Sequence, residues 1–145
     1  VILGHSERKS NLGETLEMIN RKIKAAIAAG LTPVVCVGEH IEHELKKILK
    51  DLNANDLKCS VLVYEPEWAI STARNAKADT PEHAKDAIRR IKVIAGNDIP
   101  VLYGGSTNSK NVEAFIASGA QGALVGSASL DAKEFVQLVK NAFLG

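Results

Sequence analysis

The chain has 145 residues, of which 46% are hydrophobic and 24% are charged, and its formal net charge is +1. These values are typical of a soluble globular domain, and the near-zero charge and scarce aromatic residues argue against a nucleic-acid-binding surface. No apolar run approaches the length of a membrane span, and no signal-peptide pattern opens the chain. The two cysteines, Cys36 and Cys59, show no C-x-x-C spacing, so we expect no disulfide framework and a cytoplasmic location.

Short apolar runs alternate with helical patterns along the whole chain. Gly30 ends the first long helical pattern, and Thr80-Pro81-Glu82 gives a later helix a cap, a first turn and a charge that complements its dipole. The predicted strands are residues 1–3, 34–37, 61–64, 100–103 and 123–125. Since a helical pattern follows each strand, we predict five strand–helix units that form one α/β domain over residues 1–145, with a parallel sheet and right-handed crossovers.

A histidine and a glutamate stand at the ends of two predicted strands. His5 follows the first strand, and Glu65 follows the third, directly before Pro66. Held opposite each other on a rigid frame, an imidazole and a carboxylate are suited to general acid–base chemistry. Taken singly, each residue also fits a plainer role, His5 as a capping or packing histidine and Glu65 as a salt-bridged glutamate at the rim.

Three further loops bear on the chemistry. The connection from Glu65 to Thr80 exceeds the usual length of about 2–6 residues, which suggests a lid. Residues 103–106 and 124–129 follow the last two strands and carry glycines, whose open backbone N–H groups suit an anion such as phosphate. We assign no role to the other histidines, whose spacing does not make a metal site; these are His40, His43 and His83.

Five motifs together resemble triosephosphate isomerase, in order and in spacing. They are Gly4-His5-Ser6-Glu7-Arg8, Cys36-Val37-Gly38-Glu39, Tyr64-Glu65-Pro66-Glu67-Trp68-Ala69-Ile70, Tyr103-Gly104-Gly105-Ser106 and Gly122-Ala123-Leu124-Val125-Gly126. The resemblance covers the whole chain but only the last five of the family's eight strands. It implies a partial (βα)8 barrel that lacks the first three units.

The resemblance also implies roles. Glu65 resembles the base that moves a proton between adjacent carbons of a triose phosphate, in glycolysis and gluconeogenesis, and His5 resembles the neutral imidazole that polarises the carbonyl oxygens. Glu7 resembles a supporting carboxylate. The residues implied to contact phosphate are Ser71 in the lid, Ser106, Gly126 and Ser127. No cofactor or metal is implied.

Departures from the family pattern bear on activity. Ser71 and Ala73 stand where the family's lid has glycines, and Ser127 stands where the family has another glycine. The family's first strand carries an Asn-x-Lys segment, and no residue here matches its lysine. Because losing one preorganised group at a developing oxyanion costs about 10²–10³ in rate, we expect weak or absent activity from this chain alone.

An incomplete barrel leaves sheet edges at residues 1–3 and 123–125 and barrel-facing apolar side chains without an opposing layer. We therefore expect a homo-oligomer, either a dimer or a tetramer, or a separate chain that supplies the missing strands. The alternative to an isomerase of glyceraldehyde 3-phosphate and dihydroxyacetone phosphate is a non-catalytic fragment that binds phosphate or only self-assembles.

Overall fold

The computed structural model describes residues 1–70 and 78–144. Its parallel sheet has the order β1-β2-β3-β4, formed by β1 (Ile2–Leu3), β2 (Val34–Val37), β3 (Val61–Tyr64) and β4 (Val101–Tyr103). The helices are α1 (Ser6–Leu12), α2 (Leu16–Ala28), α3 (Ile41–Ile48), α4 (Ala54–Lys58), α5 (Pro81–Ala95), α6 (Val112–Ala117) and α7 (Ala132–Leu144). Two 3-10 turns span Glu67–Ala69 and Ser127–Leu130.

The sheet and the long helices follow the same order through the molecule. Strand register pairs Val35 with Leu62 and Val63 with Leu102, while α2, α3, α5, α6 and α7 pack each on the next. The helices therefore form one layer that follows the strands, which is the arrangement of a segment of a βα barrel. The predicted α/β fold of parallel strands in a partial barrel is confirmed.

The predicted fifth strand is reduced to a single bridge. Ala123 pairs with Tyr103, and Leu124 donates its N–H to the Tyr103 carbonyl over 2.8 Å. β4 ends at Tyr103, and among the described residues nothing pairs with 123–125 on the other side. Without a second neighbour the segment follows β4 only briefly and does not extend into a regular strand.

Helix α1 is not among the helices predicted from the sequence. Its seven residues are mostly polar and show no apolar face, so helical periodicity gives no signal. The helix depends on its ends instead, because the His5 side chain caps its start and Gly13 ends it with a φ of 64°. None of the described helices is long and apolar enough to cross a membrane.

Candidate active site

His5 is held at the start of α1. Gly4 before it has a φ of 71°, and a Cβ there would lie 3.0 Å from Cδ1 of Ile19, so this tight turn favours glycine. The His5 Nδ1 accepts a hydrogen bond from the Glu7 N–H over 3.3 Å. In the neutral imidazole the proton then resides on Nε2. The His5 ring therefore caps the helix through Nδ1, as the plainer interpretation expects, and still presents an Nε2–H donor.

Glu65 lies opposite His5, and the space between these two side chains is called the gap below. Glu65 is 1% exposed. Its Oε1 is 2.9 Å from His5 Nε2, and its Oε2 accepts the Ser6 N–H over 3.0 Å. Among the described residues Oε1 has no other partner, so this buried oxygen depends on His5. The interpretation of Glu65 as a rim glutamate is therefore wrong.

Burial sets the basicity of this carboxylate. Desolvation raises the pKa of Glu65 and outweighs the opposing effects of the nearby His5, the Ser6 N–H, the Lys9 charge and the Cys36 thiol. A carboxylate with a raised pKa is a stronger base. The same carboxylate acts from the other side on Cys36, since burial and then the charge of Glu65 raise the pKa of that thiol. Cys36 is thus a buried neutral neighbour of the base rather than a nucleophile.

The loop after β4 lies close beside the Glu65 turn. Gly105 passes directly over the Tyr103 hydroxyl, and a Cβ at Gly105 would lie 2.1 Å from the Tyr103 Oη, so only glycine fits there. The next N–H, that of Ser106, donates to the Ala69 carbonyl over 2.7 Å. An anion that uses the Ser106 N–H must therefore take the place of the Ala69 carbonyl.

One cavity of about 510 Å³ brings these groups together. Its lining includes His5, Glu65, Ser106, Gly126 and Ser127. The 3-10 turn Ser127–Leu130 directly follows Gly126, so this turn brings the second strand-end loop to the cavity. A buried carboxylate, an imidazole donor and two strand-end loops thus face one open cavity.

Comparison with known proteins agrees with this geometry. The sequence model described as triosephosphate isomerase matches residues 1–142. The chain belongs to the triosephosphate isomerase family. Triosephosphate isomerases of Dehalococcoides mccartyi strain BAV1, Endomicrobium trichonymphae and Streptomyces coelicolor are 42%, 41% and 41% identical to it, over 98%, 97% and 97% of the chain. The chain spans only 62%, 63% and 61% of the lengths of these relatives.

The other site residues predicted from sequence lie in three places: beside the imidazole, outside the described residues, and in the turn after Glu65. Glu7 is exposed, and its carboxylate lies 4.0 Å from His5 Nδ1, so it neighbours the imidazole but does not reach the gap. Ser71 and most of the predicted lid tip lie outside the described residues. The family resemblance also implies that Pro66-Glu67-Trp68 is the first hinge of the lid, and in the structure Pro66 precedes a 3-10 turn over Glu67–Ala69.

Two cations that follow His5 in sequence are engaged elsewhere. The Nζ of Lys9 lies 3.4 Å from Glu44 and 3.2 Å from Glu67, and Arg8 binds Glu14 over 3.2 Å. No described residue that lines the cavity is a lysine or arginine. The described part of the chain therefore supplies no cation to the space between His5 and Glu65.

Sequence reasoning missed one acidic residue of the cavity wall. Glu134 lines the cavity and accepts from the Ser109 N–H and hydroxyl over 2.7 and 3.0 Å. It lies in the first turn of α7, where an acid normally signals only a favourable helix dipole. Its approach to residues 106–109 depends on how α7 packs, which no local pattern reports.

Proposed function

We propose that this chain carries the acid–base half of an isomerase site that interconverts glyceraldehyde 3-phosphate and dihydroxyacetone phosphate. The observation that carries the proposal is the 2.9 Å approach of the buried Glu65 carboxylate to His5 Nε2 inside a cavity that also contains both strand-end loops. Neither proton transfer nor carbonyl polarisation by these side chains calls for a cofactor, and the described residues include no cluster of three or more metal-ligating side chains.

The chemistry follows from the two groups. The Glu65 carboxylate takes a proton from the carbon next to the carbonyl, and the His5 Nε2–H donates to the carbonyl oxygen as negative charge develops there. The proton then returns to the former carbonyl carbon of the enediol-like intermediate. His5 takes the proton of the substrate hydroxyl and gives its own to the former carbonyl oxygen, so the carbonyl moves to the adjacent carbon. The substrate oxygen replaces Glu65 as the acceptor for His5, so binding separates the two side chains.

The phosphate group is proposed to lie between the loop at Ser106 and the turn at Gly126 and Ser127, joined by Ser71. Ser106 reaches it by exchanging the Ala69 carbonyl for a phosphate oxygen, which couples ligand binding to the loop after Glu65. Because no described cation lines the cavity, we propose that turnover by this chain alone is weak.

An isomerase assay on the pure chain tests the proposal. Glu65→Gln removes the base but keeps the size of the side chain, and we expect turnover to fall by about 10²–10⁴. The matched control is Glu113→Gln, an exposed position on α6 outside the cavity lining, which makes the same charge change. Turnover that survives Glu65→Gln would assign the activity to another group or to a contaminant.

The lack of a described cation in the cavity favours a second candidate, a phosphate-binding module without turnover. A calorimetric titration with inorganic phosphate or phosphoglycolate, together with the isomerase assay, distinguishes the isomerase from the phosphate-binding module. Binding without Glu65-dependent turnover would support the module. Absence of both would leave a chain that serves only in assembly.

Copies of the chain are also proposed to associate. Apolar side chains remain uncovered along the last unit, with Leu130 88% and Phe143 84% exposed, beside a groove of about 280 Å³ between α6 and α7. Covering this surface with a second copy, or with a chain that supplies further strands, removes apolar area from water.

A further inference from the structure

His83 touches the start of the connection between β3 and α5. It lies in the first turn of α5, and its ring centroid is 5.6 Å from that of Trp68 and 6.0 Å from that of Tyr64. Trp68 belongs to the 3-10 turn that directly follows Glu65. The imidazole therefore lies against aromatic rings on both sides of Glu65 in the sequence.

The same imidazole binds the other end of that connection through Asp79. The Asp79 Oδ1 lies 2.9 Å from His83 Nδ1 and accepts the Thr80 N–H over 2.8 Å. The side chain of Asp79 is 1% exposed, whereas that of His83 is 49% exposed. Because a carboxylate only accepts hydrogen bonds, Nδ1 of His83 is the donor. One side chain thus joins both ends of the connection.

Asp79 also acts on the hydroxyl of Tyr103, the residue that begins the loop after β4. Asp79 Oδ2 and Tyr103 Oη are both buried and lack a regular hydrogen bond. Burial, and then the charge of Asp79, raise the pKa of the Tyr103 hydroxyl. That hydroxyl lies under Gly105, next to Ser106. A shift of Asp79 would therefore be felt at the proposed phosphate contact.

We propose that the His83–Asp79 pair is a positioning device that holds the Tyr103–Ser106 loop in the geometry that binds phosphate. Neither residue touches the ligand. The inference rests on the proposed phosphate site and adds to it a residue that acts through Asp79 and Tyr103. When His83 is protonated, its charge strengthens the pairing with Asp79 and the contact with the Trp68 ring.

Other charged and titratable groups lie near this pair. On α5 itself the charge of His83 helps to lower the pKa of Asp86, after the larger effect of Arg89. Arg90 pairs with Glu42 of α3 over 2.7 Å, and the charge of Glu39 acts on Tyr64. The pH titration of the parent chain is therefore compared with that of a variant in which only His83 is changed and these groups are kept.

The readout is the fluorescence of Trp68, the only tryptophan of the chain. A protonated imidazole in contact with an indole quenches its emission, so we expect a fluorescence step as His83 titrates. His83→Ala should abolish the step and weaken inorganic phosphate binding about three- to tenfold. His83→Asn places an amide N–H where Nδ1 stood, so it should lose the step but bind phosphate within about twofold of the parent chain. His43→Ala, at an exposed position on α3, is the control and should keep both properties.

Each result decides between outcomes. A fluorescence step that persists in His83→Ala, or His83→Asn binding phosphate as weakly as His83→Ala, overturns the inference. If the parent chain binds no phosphate, the proposed phosphate site fails, and with it the positioning role. A step confined to chains with His83 would then still establish the contact with Trp68, so the two failures are distinguishable.

Discussion

The middle of the sheet and the last unit of the chain are built from the same pattern but pack very differently. In β2 and β3, Val35, Leu62 and Val63 are 0% exposed. In the last unit the predicted strand is one bridge at Ala123, and Phe143 remains 84% exposed. An apolar run becomes a regular buried strand when both neighbours are present. The comparison shows that a packing partner, more than the pattern itself, determines order here.

Truncation in each region gives the sharpest test of this contrast. Leu62→Ala removes a fully buried side chain between β2 and β4 and should cost about 2–5 kcal/mol of unfolding free energy, because the cavity cannot collapse. Phe143→Ala should change that free energy by no more than about 0.5 kcal/mol. Urea unfolding at one fixed protein concentration, below the range in which copies associate, measures both. Equal losses would show that the last unit is packed as well as the centre.

The exposed surface of the last unit should matter for association instead. Phe143→Glu places a charge on the uncovered apolar surface and should weaken self-association at least about tenfold. Gln137→Glu introduces the same charge at another exposed position of α7 and serves as the control. Sedimentation velocity over a range of micromolar concentrations measures the change. A compact monomer in the parent chain would contradict the association proposal directly.

The contrast also explains which elements are readable from sequence. The bounds of β2 and β3 are predicted correctly, because a short Val-rich run between turn residues is typical of a parallel strand that is buried on both faces. The fifth strand has an equally apolar run, yet its length depends on a neighbour that no local pattern reports. Helix α1 is not predicted for the opposite reason. It has no apolar face, and capping interactions at its two ends stabilise it instead.

The candidate site divides in the same way. His5 and Glu65 are found because they stand at strand ends, and the structure places their side chains in contact. Glu134 is missed because its approach to Ser109 depends on how α7 packs. Asp79 and His83 form a local i,i+4 pair, but no local pattern reports that the Asp79 side chain is buried. His83 receives no role from sequence since a histidine in a first helical turn is usually a surface residue. Strand-end chemistry is thus readable, whereas the side chains that position it are not.

The burial of Glu65 predicts the direction in which the free energy of unfolding changes with pH. Burial raises the pKa of Glu65 above its ordinary value of 4.5, so the folded chain holds this proton more tightly than the unfolded chain. Stability should therefore fall as pH rises from about 4.5 through the raised pKa, and stay lowered above it. Glu65→Gln removes this dependence, so the variant should gain stability relative to the parent chain across that window.

Urea midpoints of the two chains at a series of pH values measure this difference. The difference between the chains isolates Glu65 from the other carboxylates, which titrate in both. A difference that is constant with pH, or that shrinks as pH rises, would show that Glu65 is not desolvated as the structure indicates.

The smallest expected effect lies on the open side of the cavity, at Glu134. This carboxylate lines the proposed phosphate site and holds the Ser109 N–H and hydroxyl, so it both organises the wall and repels an anion. Glu134→Gln keeps an oxygen acceptor for the Ser109 N–H and removes the charge, so phosphate affinity should rise about two- to fivefold at low salt. The gain should shrink as salt screens the interaction, and the exposed control Glu113→Gln should show little of it. Weaker phosphate binding by Glu134→Gln would mean that Glu134 acts mainly by holding Ser109 in place. The part of the cavity wall that belongs to the last unit would then be more rigid than the exposed apolar surface of that unit suggests.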